Sequence, residues 1–186
     1  VVPVRSEAQL RQRAWVEDNR RRVDSLSHGT LAYVWIPNTS RPAVTAFDRY
    51  YYAQQDRKGA IIDERYNSGG SAADYIIDLL QRDFDGYFNN PVGERYPFTS
   101  PAAGIWGPKV MIINEMAGSG GDLMPWMFQH RKVGPLVGKR TVAELARFIA
   151  QSMPPGPKKC SAAAAQKVAA YIYDAFYSPI AQARNK

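Results

Sequence analysis

The segment Asn114-Glu115-Met116-Ala117-Gly118-Ser119-Gly120-Gly121-Asp122 holds the residues best suited to covalent chemistry. A serine between glycines, where a strand turns into a helix, has its hydroxyl lifted above the sheet, and the backbone N–H after it points the same way. That arrangement suits a nucleophile beside an oxyanion site. Acyl transfer creates a tetrahedral oxyanion, and removing one donor fixed in advance to receive it typically costs about 3 kcal/mol. Ser119 is therefore the candidate nucleophile and the Gly120 amide a candidate donor. The run Ala-Gly-Ser-Gly-Gly departs from Gly-x-Ser-x-Gly at its first residue, and a Gly-Ser-Gly turn also serves as a plain structural loop.

A second glycine cluster, Arg65-Tyr66-Asn67-Ser68-Gly69-Gly70-Ser71, leaves three readings open. It could hold a phosphate at a helix N-terminus, although it lacks the Lys and the spacing of a P-loop. It could donate a second N–H to the oxyanion. It could also simply supply a turn of positive φ. Neither histidine suits the role of base: His28 falls in a turn beside Gly29, and His130 ends the helix that starts at Ser119, roughly 15 Å away at about 1.5 Å rise per residue. A serine hydroxyl without a base is a feeble nucleophile at neutral pH.

These segments need a scaffold, and 186 residues with 45% apolar content can build a substantial core. One cysteine excludes a disulfide-stapled miniprotein and a multi-thiolate zinc module. No stretch approaches the roughly 20 apolar residues that cross a bilayer, so a membrane partner is not expected. A net charge of +7 invites a nucleic-acid partner, but the distribution argues against one. Residues 1–141 carry 18 basic and 15 acidic groups, and the densest run, Arg20-Arg21-Arg22, lies beside Glu17, Asp18 and Asp24 as on a solvated helix face.

Ser6-Glu7-Ala8-Gln9 has capping-box spacing and opens a charged helix to about Leu26. Leu31 to Ile36 is a nearly unbroken apolar, β-prone run, as expected of a strand covered on both faces. Val44 to Gln55 and Ala72 to Leu80 read as helices, Ala60 to Asp63 as a second strand, and residues 83–108 as a long loop in which Tyr87, Phe88 and Trp106 could line an apolar pocket. Lys109 to Asn114 reads as a third strand, Gly120 to Gln129 as a helix, and Leu136 to Arg140 as a fourth strand. This alternation predicts an α/β fold with a mainly parallel sheet built from right-handed crossovers. Sites in such sheets lie at the carboxyl ends of the strands, where both glycine clusters fall.

Several blocks in order, Gly29 to Tyr33, Phe47 to Tyr51, Gly59 to Gly70, Ile113 to Asp122 and Gly134 to Thr141, resemble the catalytic core of the tricorn protease family of serine peptidases. The resemblance covers about residues 1–141, and residues 1–4 resemble the last strand of a preceding PDZ domain. It implies a crotonase-like α/β core and peptide hydrolysis through an acyl-enzyme, with peptides as the substrate and no cofactor or metal. It assigns Ser119 as nucleophile, the Gly120 amide as one oxyanion donor and the Gly70 amide as the other. Ser68 stands where the family usually has a glycine. The family's catalytic His lies upstream of the PDZ domain and a catalytic Glu downstream in the core, and neither segment is expected within these residues. The family also allows a ring of identical subunits. The alternative is a catalytically silent module that binds extended peptides by strand addition.

From Val142 the texture changes: 12 of the last 45 residues are Ala, and the run Met153-Pro154-Pro155-Gly156 followed by a helix resembles the C-terminal part of c-type cytochrome domains. Residues 142–186 are thus expected to form a helical tail. Covalent haem needs Cys-x-x-Cys-His, and Cys160 has no His near it, so no haem is expected.

Overall fold

The computed structural model describes residues 5–89, 91–93, 98–114, 116–138 and 161–176. Helix α1 (Ala8–Leu26) leads into strand β1 (Leu31–Trp35), and helix α2 (Arg41–Tyr51) with a 3-10 turn (Tyr52–Gln54) crosses to strand β2 (Gly59–Asp63). Helix α3 (Ala73–Leu80) follows, then a hairpin of β3 (Gly86–Phe88) and β4 (Phe98–Ser100). Strand β5 (Lys109–Ile112), helix α4 (Gly120–His130), strand β6 (Leu136–Val137) and helix α5 (Ala162–Phe176) complete the described elements.

The main sheet has the order β1-β2-β5-β6 with every pair parallel, as the alternation predicts. Burial explains why these strands lack an in-out alternation. All five residues of β2 and all four of β5 are buried, because parallel strands are covered on both faces. Val16 and Val23 of α1 and Phe47 of α2 are fully or almost fully buried in the core with Tyr33 and Val34 of β1. Phe47 stacks on Tyr51 at 4.6 Å between ring centroids, which fixes the inner face of α2.

Two local expectations are corrected. The Ser6–Gln9 capping box does not form: α1 begins at Ala8, and Ser6 Oγ instead accepts the Ala8 N–H at 3.2 Å. Part of the stretch read as a loop over 83–108 is the antiparallel hairpin, which aligns Tyr87 with Thr99 and stacks Phe88 on Phe98 at 5.1 Å. Tyr87 and Trp106 each contact Phe84, and Tyr87 is 69% exposed, so these rings pack on one another at the surface. Of the predicted fourth strand, 136–137 is β structure, and Arg140 lies outside the described residues.

A largely buried polar chain ties the helices to the middle of β1 and the end of β2. Tyr171 of α5 donates to Asn19 Oδ1 (2.5 Å), Asn19 Nδ2 donates to the Tyr33 hydroxyl (3.3 Å), and Tyr33 donates to Asp63 Oδ2 (2.6 Å). Asp63 also accepts from Arg65 Nε at 2.7 Å and pairs with its Nη2, while the guanidinium lies 5.1 Å from the Trp15 ring. Burial and the Asp63 carboxylate raise the Tyr33 pKa, so its hydroxyl stays a donor. Ala165 and Val168 of α5 are fully buried, so this helix is seated on the body of the protein. Met153 and Cys160 lie outside the described residues.

Candidate active site

Ser119 sits in the turn between β5 and α4 at φ +58° and ψ −116°, a backbone state that side-chain-bearing residues rarely adopt. Such strain persists only where the surroundings enforce it, and it is a mark of functional turns. The residue is exposed, and its carbonyl caps the helix by accepting the N–H groups of Asp122 (3.0 Å) and Leu123 (3.1 Å). The hydroxyl is therefore presented above the carboxyl end of the sheet at a helix start, as the strand-turn-helix pattern requires.

The glycine cluster at Asn67–Ser71 reaches the same point. A Cβ added to Gly69 would lie 2.8 Å from Ser119 Cβ and 3.1 Å from Gly120 N, which puts this turn directly against the candidate nucleophile. A Cβ on Gly120 would overlap both the Gly70 carbonyl oxygen and Thr39 Oγ1. Gly70 itself has φ +139°, and a Cβ there would overlap the Thr39 carbonyl. At Gly69 and Gly70 only glycine meets both the conformation and the space, and at Gly120 the space alone excludes a side chain. Ser119, Gly70 and Gly120 are thus brought together from segments about fifty residues apart in sequence.

The direction of the Gly70 amide is set by Thr39. The Thr39 N–H donates to Gly69 O at 3.0 Å, and in a trans peptide the Gly70 N–H points opposite to that carbonyl. Thr39 O in turn accepts the Ala72 N–H at 2.7 Å, which clamps the turn from its other side. Among the described residues neither the Gly70 nor the Gly120 N–H has a backbone partner outside the helices and strands, so both remain able to receive an oxyanion.

Asn67 joins the two turns. Its Oδ1 accepts the Gly69 N–H (2.9 Å), its main-chain oxygen accepts the Gly118 N–H (3.0 Å), and its Nδ2 donates to Glu64 Oε2 (3.1 Å). The first of these is an Asx turn, which the Asn-x-Gly spacing could have signalled. Glu64 is fully buried and, among the described residues, pairs with no cation: Arg65 is turned to Asp63, and Glu64 Oε1 has no hydrogen-bond partner there. Burial, with the Asp63 and Asp122 charges, pushes the Glu64 carboxyl up to about 9, against the opposing effect of its Asn67 hydrogen bond. It is therefore neutral near pH 7.

Neither histidine is placed at Ser119. His28 lies in the turn after α1 at φ +53°, and the His130 ring stacks on Trp126 at 4.7 Å at the far end of α4. Thr39, Glu64 and Asn67 are the site residues that the motif reading did not assign. Among the described residues there is no cluster of three or more His, Cys, Asp or Glu able to hold a metal ion, and no helix is long and apolar enough to cross a membrane.

Known proteins share this arrangement of segments. The chain is 36% identical to the tricorn protease of Thermoplasma volcanium over 132 residues, covering 71% of this chain and 13% of that protein. It is 36% identical to the Thermoplasma acidophilum tricorn protease over 132 residues, covering 71% of this chain and 12% of that one. A solved structure of tricorn protease superposes with a TM-score of 0.64 at 36% identity, covering 69% of this chain and 12% of that chain. The chain thus spans only a small part of the length of these relatives. The family model described as "Peptidase family S41" matches residues 30–172, a stretch that contains both glycine turns, Ser119 and most of α5, and the chain belongs to that family.

Proposed function

We propose that this chain is the crotonase-like core of a serine peptidase, with residues 1–141 forming the catalytic part and residues 142–186 a helical tail. Peptides are the substrate. Ser119 Oγ attacks the scissile carbonyl carbon, and the carbonyl π electrons move onto oxygen, which the Gly70 and Gly120 N–H groups receive. Collapse of that tetrahedral species expels the amine and leaves an acyl-Ser119 ester, which water then hydrolyses. The observation that carries the reading is the contact of the Gly69–Gly70 turn with a strained, exposed Ser119. Family membership and the likeness to tricorn protease support it.

The proton of Ser119 needs an acceptor, and the positions of His28 and His130 make them poor ones. We assign the base to a segment outside these 186 residues, in line with relatives several times longer. The placement of the histidines also favours a second reading, in which these residues alone bind extended peptides without turning them over. A fluorophosphonate probe separates the two. Labelling of the wild-type chain but not of Ser119→Ala supports the nucleophile; equal labelling of both removes it. Peptide binding by calorimetry that survives Ser119→Ala, without hydrolysis, supports the silent module.

A further inference from the structure

Thr39 takes part in the proposed hydrolysis only through its backbone, yet its side chain is the odd group of the site. It is fully buried, and among the described residues its Oγ1 has no hydrogen-bond partner. A hydroxyl left so costs about 1–3 kcal/mol in the resting protein. Its surroundings are specific. Thr39 Oγ1 and the Gly70 carbonyl oxygen both press on the same point, the position a Cβ of Gly120 would occupy, and Gly70 N lies 2.9 Å from that point. The hydroxyl is therefore wedged between the two residues whose amides form the candidate oxyanion site, beneath the first residue of α4.

We propose that Thr39 is a positioning residue of the oxyanion site, whose hydroxyl donates to the Gly70 carbonyl when a tetrahedral oxyanion draws the Gly70 and Gly120 amides together. The inference rests on the assignment of Ser119 and these two amides. An oxyanion bridging two N–H groups pulls their segments toward each other, and the Gly70 carbonyl oxygen is crowded against the same point of Gly120 as the hydroxyl. A bond absent at rest and made in the transition state raises the rate of the chemical step without tightening ground-state binding. It also holds Gly70 through its own carbonyl, while the Thr39 N–H already holds the preceding Gly69 carbonyl.

The test uses the intact chain and a fluorophosphonate, whose phosphonyl adduct on serine is tetrahedral. Saturation kinetics give the maximal labelling rate and the half-saturating concentration for wild type, Thr39→Val, Thr39→Ser and Ser119→Ala, alongside thermal melting. Thr39→Val is expected to label about tenfold more slowly at saturation, with an unchanged half-saturating concentration and a melting temperature no lower than wild type. Thr39→Ser, which keeps the hydroxyl, is expected to label within about twofold of wild type. A Thr39→Val protein that labels as fast as wild type overturns the proposal and leaves the Ser119 assignment standing. So does one that is unfolded or melts several degrees lower, because the hydroxyl would then have a structural partner. If Thr39→Ser is as slow as Thr39→Val, the methyl group is responsible and the proposal fails. Wild type labelling no faster than Ser119→Ala overturns the nucleophile assignment and this inference with it.

Discussion

Gly120 and Gly70, fifty positions apart in the chain, are packed so closely that a methyl group on Gly120 would overlap the Gly70 carbonyl oxygen. The first begins α4 just after β5, and the second ends the turn after β2. Since β2 and β5 are paired central strands of a parallel sheet, both turns emerge at its carboxyl end. Small side chains there are a condition of the site's existence.

Gly70→Ala is accordingly expected to be severe. It adds a methyl at φ +139° that would overlap Thr39 O, and we expect about 2 kcal/mol or more of destabilisation together with loss of Ser119 labelling. Urea denaturation and probe labelling measure the two effects. Labelling at the wild-type rate would show that the Gly70 turn does not build the site.

Asn67→Ala removes the side-chain acceptor of the Gly69 N–H and the donor to Glu64 Oε2. Both bonds are buried, so a loss of about 2–4 kcal/mol is expected, with labelling reduced even in the fraction that stays folded. Comparing labelling with the folded fraction from circular dichroism separates the two contributions.

Glu64 makes the fold less stable as pH rises. Its carboxyl has an ordinary value of 4.5 and is pushed to about 9 in the fold, so the folded chain keeps a proton that the unfolded chain releases. Its stabilising contribution is full below about pH 4.5 and is lost as pH rises toward 9. The loss by pH 7 is up to about 3 kcal/mol. Glu64→Gln, which copies the neutral acid, should raise stability at pH 8 and flatten the decline between pH 5 and 9. Denaturation midpoints across that range check it, and an unchanged slope would place the ionised form in the fold. Lys109 acts in the opposite sense at higher pH: burial lowers it from 10.5 to about 8, so stability from this group rises between those values.

Tyr171→Phe tests whether α5 belongs to the body of the protein. Losing the hydrogen bond to Asn19 Oδ1 should cost about 1 kcal/mol and lower the melting temperature by a few degrees. A melting curve identical to wild type would show that this link adds nothing to the fold.

Much of the scaffold is legible in residue order. The apolar runs at Leu31–Ile36, Ala60–Asp63 and Lys109–Asn114 are long and β-prone, and helical patterns between them leave a parallel sheet as the natural product. Short, exposed elements are harder: the three-residue strands β3 and β4 sit in a stretch rich in Pro, Gly and Asn, where composition speaks for a loop. The ends of helices are governed by single hydrogen bonds, which explains why the Ser6 pattern predicts a box that the backbone does not make.

By itself the sequence determined the α/β rhythm, the two glycine turns and the choice of Ser119 as the candidate nucleophile, because periodicity, β-propensity and the need for glycine in tight turns are local properties. Tertiary structure decided what those pieces do to one another. The meeting of Gly69, Gly70 and Gly120 depends on the β2–β5 pairing, and the roles of Thr39, Asn67 and Tyr171 depend on contacts across long stretches of chain. The neutral state of Glu64 belongs to the same class, since Asp63 and Glu64 are consecutive carboxylates and only the fold gives Arg65 to one of them and buries the other away from it. Desolvation and long-range packing arise when the chain closes on itself, and no local pattern encodes them.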